Sequence, residues 1–245
     1  FCQRIVREAA PFLVNHGFCQ VVCNWMQLRG HDWTERLSQW FHECGCDVSV
    51  LRGRSIPAME YVMSWNQEES REPGFGQVFS EWMNYFEERG VDSVGIGVVT
   101  MRKREDGQSS FFAENAPPQI QGSMGEHIAE QFELRDFLAA HADPNQLAAA
   151  RLELDPTAIL HVEMAASPNG WMPNKTELTR TRGLGYRMEI DQWTAQMLPS
   201  CDGTRTLADI LRVAAQQLSA NPRDLAANSF PQLRQLIARG LVRPR

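Results

Sequence analysis

The feature that most constrains this chain is an alternation in its first hundred residues. Short apolar runs rich in β-formers are Phe18–Met26 (FCQVVCNWM), Asp47–Leu51 (DVSVL) and Val91–Glu105 (VDSVGIGVVTMRKRE). Amphipathic helical stretches separate them. Cys2–Leu13 spaces Ile5, Val6, Ala9, Ala10 and Leu13 along one helix face, with Gly17 as the stop. Asp32, with Glu35 three residues on, has the form of a capping box. It opens a helix through Trp33, Leu37, Trp40 and Phe41 that ends near Gly45. Pro57 starts a helix through Tyr61, Val62 and Trp65. After a break at Arg71–Gly76, Val78–Arg89 carries Phe79, Trp82, Met83 and Phe86 on one stripe, ended by Gly90. Strands that alternate with helices are covered on both faces, so the pattern predicts an α/β layered domain. Three strands make a thin sheet, and the chain opens inside a helical pattern. The expectation is therefore the second half of such a domain, with an N-terminal part missing before residue 1.

Within the last of these strands, Val94–Met101 (VGIGVVTM) holds two glycines around one residue, the outline of a cofactor loop. Such a loop needs a strand, a glycine turn and then a helix N-terminus whose free N–H groups face the ligand. Here β-branched residues follow instead, and no third glycine arrives at the right spacing. Gly95 and Gly97 stand two apart and so share one face of a strand, where a missing side chain lets a neighbour come close.

Polar and proline-rich sequence over residues 107–122 (GQSSFFAENAPPQIQG) predicts a linker after a first domain of residues 1–106. The 245 residues suffice for two cores. Residues 123–245 read as an α+β extension. A helix is expected at Gly125–His141, strand segments at 151–164 broken at Pro156, a turn at Ser167–Trp171, and a strand at Gly185–Ile190. From 191 to 245 the expectation is a winged-helix-like module. Its parts are a helix at Asp191–Leu198, a turn at Cys201–Thr206 that delivers Thr206 as N-cap with Asp209 behind it, helices at Leu207–Leu218 and Phe230–Arg239, and a terminal strand from Leu241.

The net charge of −6 gives no overall attraction to nucleic acid or an anionic membrane. Residues 196–245, however, hold seven Arg against three Asp. Arg205, Arg212 and Arg234 are accordingly candidate phosphate contacts for RNA or DNA. The six cysteines match no zinc spacing and read as reduced thiols, which points to a cytoplasmic protein. The six histidines offer no metal motif, and no apolar run is long enough for a membrane helix.

Cys19–Trp65 resembles the post-catalytic half of class I S-adenosylmethionine-dependent methyltransferases, of the small-domain type akin to release-factor glutamine and ribosomal-RNA guanine N-methyltransferases. Asn24-Trp25 at a strand end, Asp32-Trp33-Thr34-Glu35-Arg36 and Pro57-Ala58-Met59-Glu60-Tyr61 carry the likeness. Val94–Met101 matches the family's late strand, and Leu198–Leu207 (LPSCDGTRTL) its C-terminal extension. The resemblance implies a Rossmann-like sheet, S-adenosylmethionine as cofactor, and a methyl acceptor nitrogen in a protein, RNA or DNA. It also implies that the glycine-rich loop, the acidic ribose-binding residue and the Asn-Pro-Pro-aromatic catalytic loop precede this sequence. In Glu114–Pro118 (ENAPP), Ala116 interrupts any Asn-Pro-Pro. No catalytic residue is thus assigned within the chain. Asn24, Trp25 and Trp33, at the strand's C-terminal end, are the candidate substrate contacts.

Overall fold

A computed structural model of the chain describes residues 2–66, 74–117, 120–168, 170–217 and 221–245. The break expected at Arg71–Gly76, the turn at Ser167–Trp171, the 107–122 linker and the end of the helix at Leu218 fall partly outside them. The chain forms two compact units, 1–116 and 117–245.

Unit 1 is built on a four-stranded mixed sheet. Its elements are α1 (Cys2–Ala9), β1 (Phe18–Leu28), α2 (Trp33–Ser38), β2 (Cys46–Pro57), α3 (Ala58–Trp65), α4 (Phe75–Glu88), β3 (Val91–Lys103) and β4 (Ser110–Asn115). The strand order is β1-β3-β2-β4. β3 runs antiparallel to both of its neighbours, so β1 and β2 are parallel to one another, and β4 is parallel to β2. Both sheet faces are covered. Cys23, Trp25, Val48, Val50, Val99 and Met101 pack with Val6 of α1 and Leu37 of α2. On the opposite face Val94 packs with Ala58, Tyr61 and Val62 of α3 and Phe86 of α4. Asp32 caps α2 as expected, though its carboxylate accepts from the Thr34 N–H at 2.7 Å.

The expected linker holds a strand instead. β4 is tied in by Asp47, whose buried carboxylate accepts from the Ser110 hydroxyl at 2.5 Å and from Arg102 at 2.6 Å, with Arg104 at 3.3 Å. Burial alone would raise the Asp47 pKa. The Ser110 hydrogen bond and the two guanidinium groups outweigh it and hold the carboxylate below its ordinary value.

Unit 2 contains α5 (Met124–Ala140), α6 (Pro144–Ala149), β5 (Arg151–Leu154), β6 (Ala158–Ser167), β7 (Gly170–Arg180), β8 (Arg187–Glu189), α7 (Gln192–Met197), β9 (Asp202–Thr206), α8 (Leu207–Gln217), α9 (Pro222–Ala238) and β10 (Val242–Pro244). Two antiparallel sheets, ordered β10-β5-β9 and β6-β7-β8, accompany the helices. Leu152, Leu207, Leu233, Leu236, Ile237 and Leu241 are fully buried in one core.

The module expected at 191–245 is not self-contained. Its two strands, β9 and β10, do not pair with each other, because β5 lies between them. Cys201–Thr206, expected as a turn, contributes β9, since Asp202 turns the chain by accepting from the Thr204 N–H at 2.8 Å while the residues on either side pair with β5. Thr206 still caps α8, accepting from the Asp209 N–H at 3.2 Å. The helix expected from Phe230 begins at Pro222 and carries Pro231 within it.

Candidate functional site

The strongest site lies along the outer edge of β1. Among the described residues no strand pairs with that edge, since β1 neighbours β3 alone. A groove of about 640 Å³ touches it, lined from both helical layers. Cys2 of α1, Arg36 of α2 and Trp40 line it on one side; Tyr61, Glu81, Trp82, Tyr85 and Phe86 line it on the other. Asn24 and Trp25 lie between them. Successive strand residues point to opposite faces, so both layers reach this groove only because the strand they flank is an edge.

Two of the three expected contacts are therefore in the groove. The Asn24 amide donates to the Tyr61 hydroxyl at 2.6 Å. Burial pushes the Tyr61 phenol above its ordinary pKa, with Cys2 adding to the effect, so it stays protonated at neutral pH. Tyr61 also sits in an aromatic cluster, 6.4 Å from both Trp82 and Phe86 between ring centroids. Trp33 is not in the groove. It stacks on Trp25 at 5.9 Å and 18° between planes, and the Arg52 guanidinium lies 4.4 Å from its ring centroid. Its role is to brace Trp25. Trp82 was legible only as a helix core position, and Tyr61 as a helix position that closes the Pro57–Tyr61 motif. Nothing in their spacing announces that two helices bring them to a strand edge.

The two glycines of β3 explain how Trp25 fits. A Cβ on Gly95 would stand 2.6 Å from Trp25 Nε1, and one on Gly97 would meet the Leu51 carbonyl oxygen and the Trp25 ring. The bare face is filled by an indole from the adjacent strand, so it is no cofactor cradle. The Trp25 indole N–H is buried without a hydrogen-bond partner among the described residues, and so is the Gln27 amide nitrogen. The Gln27 orientation is set by its oxygen, which accepts from the Ser55 and Ser93 hydroxyls at 2.8 Å each. The Trp25 indole nitrogen is packed against Gly95 of β3, so the ring, and not its N–H, is what Trp25 brings to the groove.

In unit 2 the three expected phosphate contacts part company. Arg234 is committed to the fold. Its guanidinium donates to the carbonyls of Leu138, His141 and Ala142, holding α9 to the end of α5. Terminal helix carbonyls lack intrahelical partners, and a cation there also meets the negative end of the helix dipole. It is not a free phosphate contact. Arg212 is exposed and paired with Asp209 at 2.7 Å. Arg205 is exposed beside a small pocket of about 180 Å³ with Trp193, Ile210 and Val213.

Unit 2 also encloses a charge network that no sequence spacing announces. Arg180 pairs with Glu130 at 2.8 Å and with Asp155 at 3.1 Å; Arg243 pairs with both carboxylates. The buried His127 is 3.7 Å from Glu130. Burial alone would raise the Glu130 pKa; the neighbouring His127 and the two arginines outweigh it and bring it down to about 2. Gly240 and Gly183 make room, since a Cβ at either would strike Arg180 or His127.

Among the described residues no cluster of three or more His, Cys, Asp or Glu could hold a metal ion, and no helix is long and apolar enough to cross a membrane. Residues 129–244 match the model of a family described as a domain of unknown function, DUF7782. That stretch runs from α5 to β10, within unit 2. No curated protein matches the chain.

Proposed function

We propose that unit 1 is the C-terminal half of a Rossmann-like class I methyltransferase domain, in an enzyme that moves a methyl group from S-adenosylmethionine to a nitrogen of a protein or nucleic-acid substrate. One observation carries the reading. The outer edge of β1 is open between two helical layers that both overhang it, with the Asn24–Tyr61 pair and Trp25 in the groove. An edge between two covered faces is where a further strand of the same sheet belongs. Strands upstream of β1 complete the sheet there and bring the cofactor loop and the catalytic loop. The glycine pair of β3 is filled by Trp25, which supports placing the cofactor loop elsewhere.

In this reading the chain's own residues position the acceptor. Flat aromatic walls suit an unsaturated group such as an amide or a nucleobase. The Trp25 ring supplies part of the wall, and the Asn24–Tyr61 hydrogen bond ties β1 to α3 inside the groove. Unit 2, in this reading, binds the macromolecular substrate through its helices α7, α8 and α9.

Calorimetry with S-adenosylmethionine tests this on residues 1–245 and on the product of the longer reading frame. Binding is expected for the longer protein alone. Tight binding to residues 1–245, or an upstream sequence without an Asn-Pro-Pro-aromatic loop, overturns the proposal. A purely nucleic-acid-binding role for unit 2 has less support, since Arg234 and Arg212 are already engaged.

A further inference from the structure

We propose that the chain forms a twofold dimer by pairing the outer edge of β6 with the same edge of a second copy, making a continuous six-stranded sheet across the two unit 2 sheets.

The β6–β7 hairpin is long and thinly covered. From Ile159 to Ala166 every residue of β6 is exposed, including the apolar Ile159, Leu160, Val162 and Met164 at 44–46%. In its sheet β6 pairs only with β7, so one full edge is open among the described residues. Soluble proteins block such edges with lysine, proline, a bulge or shortness. β6 has none of these over its ten residues (AILHVEMAAS). The devices lie on β7 instead. Pro173 and Lys175 are there, and so is the extra residue of the bulge, because Glu163 pairs with Lys175 while Met164 pairs with Pro173. The outer edge of β6 is left regular.

The occupant is set by the sequence of the edge itself. Antiparallel pairing about a twofold through Val162 places Val162 opposite its own copy and Leu160 opposite Met164. It places His161 opposite Glu163, and Ile159 opposite Ala165. Cross-strand partners share a face. Leu160, Val162 and Met164 therefore form one apolar stripe running across both copies, while His161 and Glu163 form two complementary polar pairs on the reverse. A twofold interface must be complementary to itself, and this register is so at every step. Glu163 also accepts from the Asn174 amide of its own hairpin at 3.0 Å, which leaves its second oxygen to face His161 of the copy.

Sedimentation equilibrium over a wide concentration range tests the proposal on residues 1–245. A dimer is expected for the parent chain. Val162→Lys sets two ammonium groups against each other on the axis and is expected to give a monomer that stays folded, with an unchanged far-ultraviolet circular dichroism spectrum and a melting temperature that no longer depends on concentration. His161→Glu faces carboxylate with carboxylate twice and is expected to weaken the dimer about tenfold, given like-charge costs of up to about 1 kcal/mol per pair. The double exchange His161→Glu with Glu163→His restores the complementary pairs and is expected to restore the dimer. A parent chain that is monomeric at every concentration overturns the proposal. So does a dimer that survives Val162→Lys, or a double exchange no tighter than His161→Glu alone.

Discussion

The outer edges of β1 and β6, both unpaired among the described residues, differ in what stands beside them. The edge of β1 runs between two helical layers. Its residues Cys23 and Trp25 are buried, and aromatic side chains from α3 and α4 overhang it. The edge of β6 has no cover on either face. The first lies within a layered core. The second is an arm whose apolar stripe is outside any core. The proposed continuing strand at β1 and the proposed partner's sheet at β6 both rest on this difference in the flanks.

Substitutions can break this contrast in order of expected effect. Gly97→Val in β3 places a side chain against the Leu51 carbonyl and the Trp25 ring with no room to yield. It should cost more than about 4 kcal/mol and remove the unfolding transition of unit 1 from a calorimetric scan, with unit 2 untouched. Glu130→Gln leaves Arg180 and Arg243 short of one carboxylate in a buried network. It should destabilise unit 2 by about 3 kcal/mol in urea unfolding, since breaking a buried pair strands the other charge. Acid does the same reversibly. Glu130 has a pKa lowered from 4.5 to about 2, so its contribution is complete above pH 4.5 and fades as pH falls toward 2. Tyr61→Phe removes the acceptor of the Asn24 amide and should cost about 1 kcal/mol in unit 1. Val162→Lys, by contrast, should change the stability of the protomer itself by less than about 0.5 kcal/mol, measured at a dilution where the parent is also monomeric, while abolishing association at higher concentration.

The sequence was most readable where a local rule decides the outcome. The Asp32 and Thr206 caps act within three residues, and the alternation of Val48, Val50, Val99 and Met101 marks strands directly. It was least readable where distant residues decide. β4 looks like linker because its anchor, Asp47, is 63 residues away from Ser110. Cys201–Thr206 carries an Asp-Gly turn signal, and the turn is real, but pairing with β5 makes the segment a strand as well. Arg234 resembles any exposed helix arginine until the end of α5, more than 90 residues earlier, comes to meet it. At the groove, Asn24 and Trp25 were expected at a strand end, but β1 runs on to Leu28 and places them inside the strand; Trp33 supports the site from behind, and Tyr61 and Trp82 converge only in three dimensions.

The stack of Trp25 on Trp33 gives unit 1 an optical signature. Two indoles held face to face at 5.9 Å exchange excitation, and their coupled transitions produce paired bands of opposite sign in circular dichroism. The remaining tryptophans of the chain have no indole partner of this kind among the described residues. The pair of bands therefore reports on one strand edge in a protein of two units, and its decay during denaturation times the loss of the groove without any label.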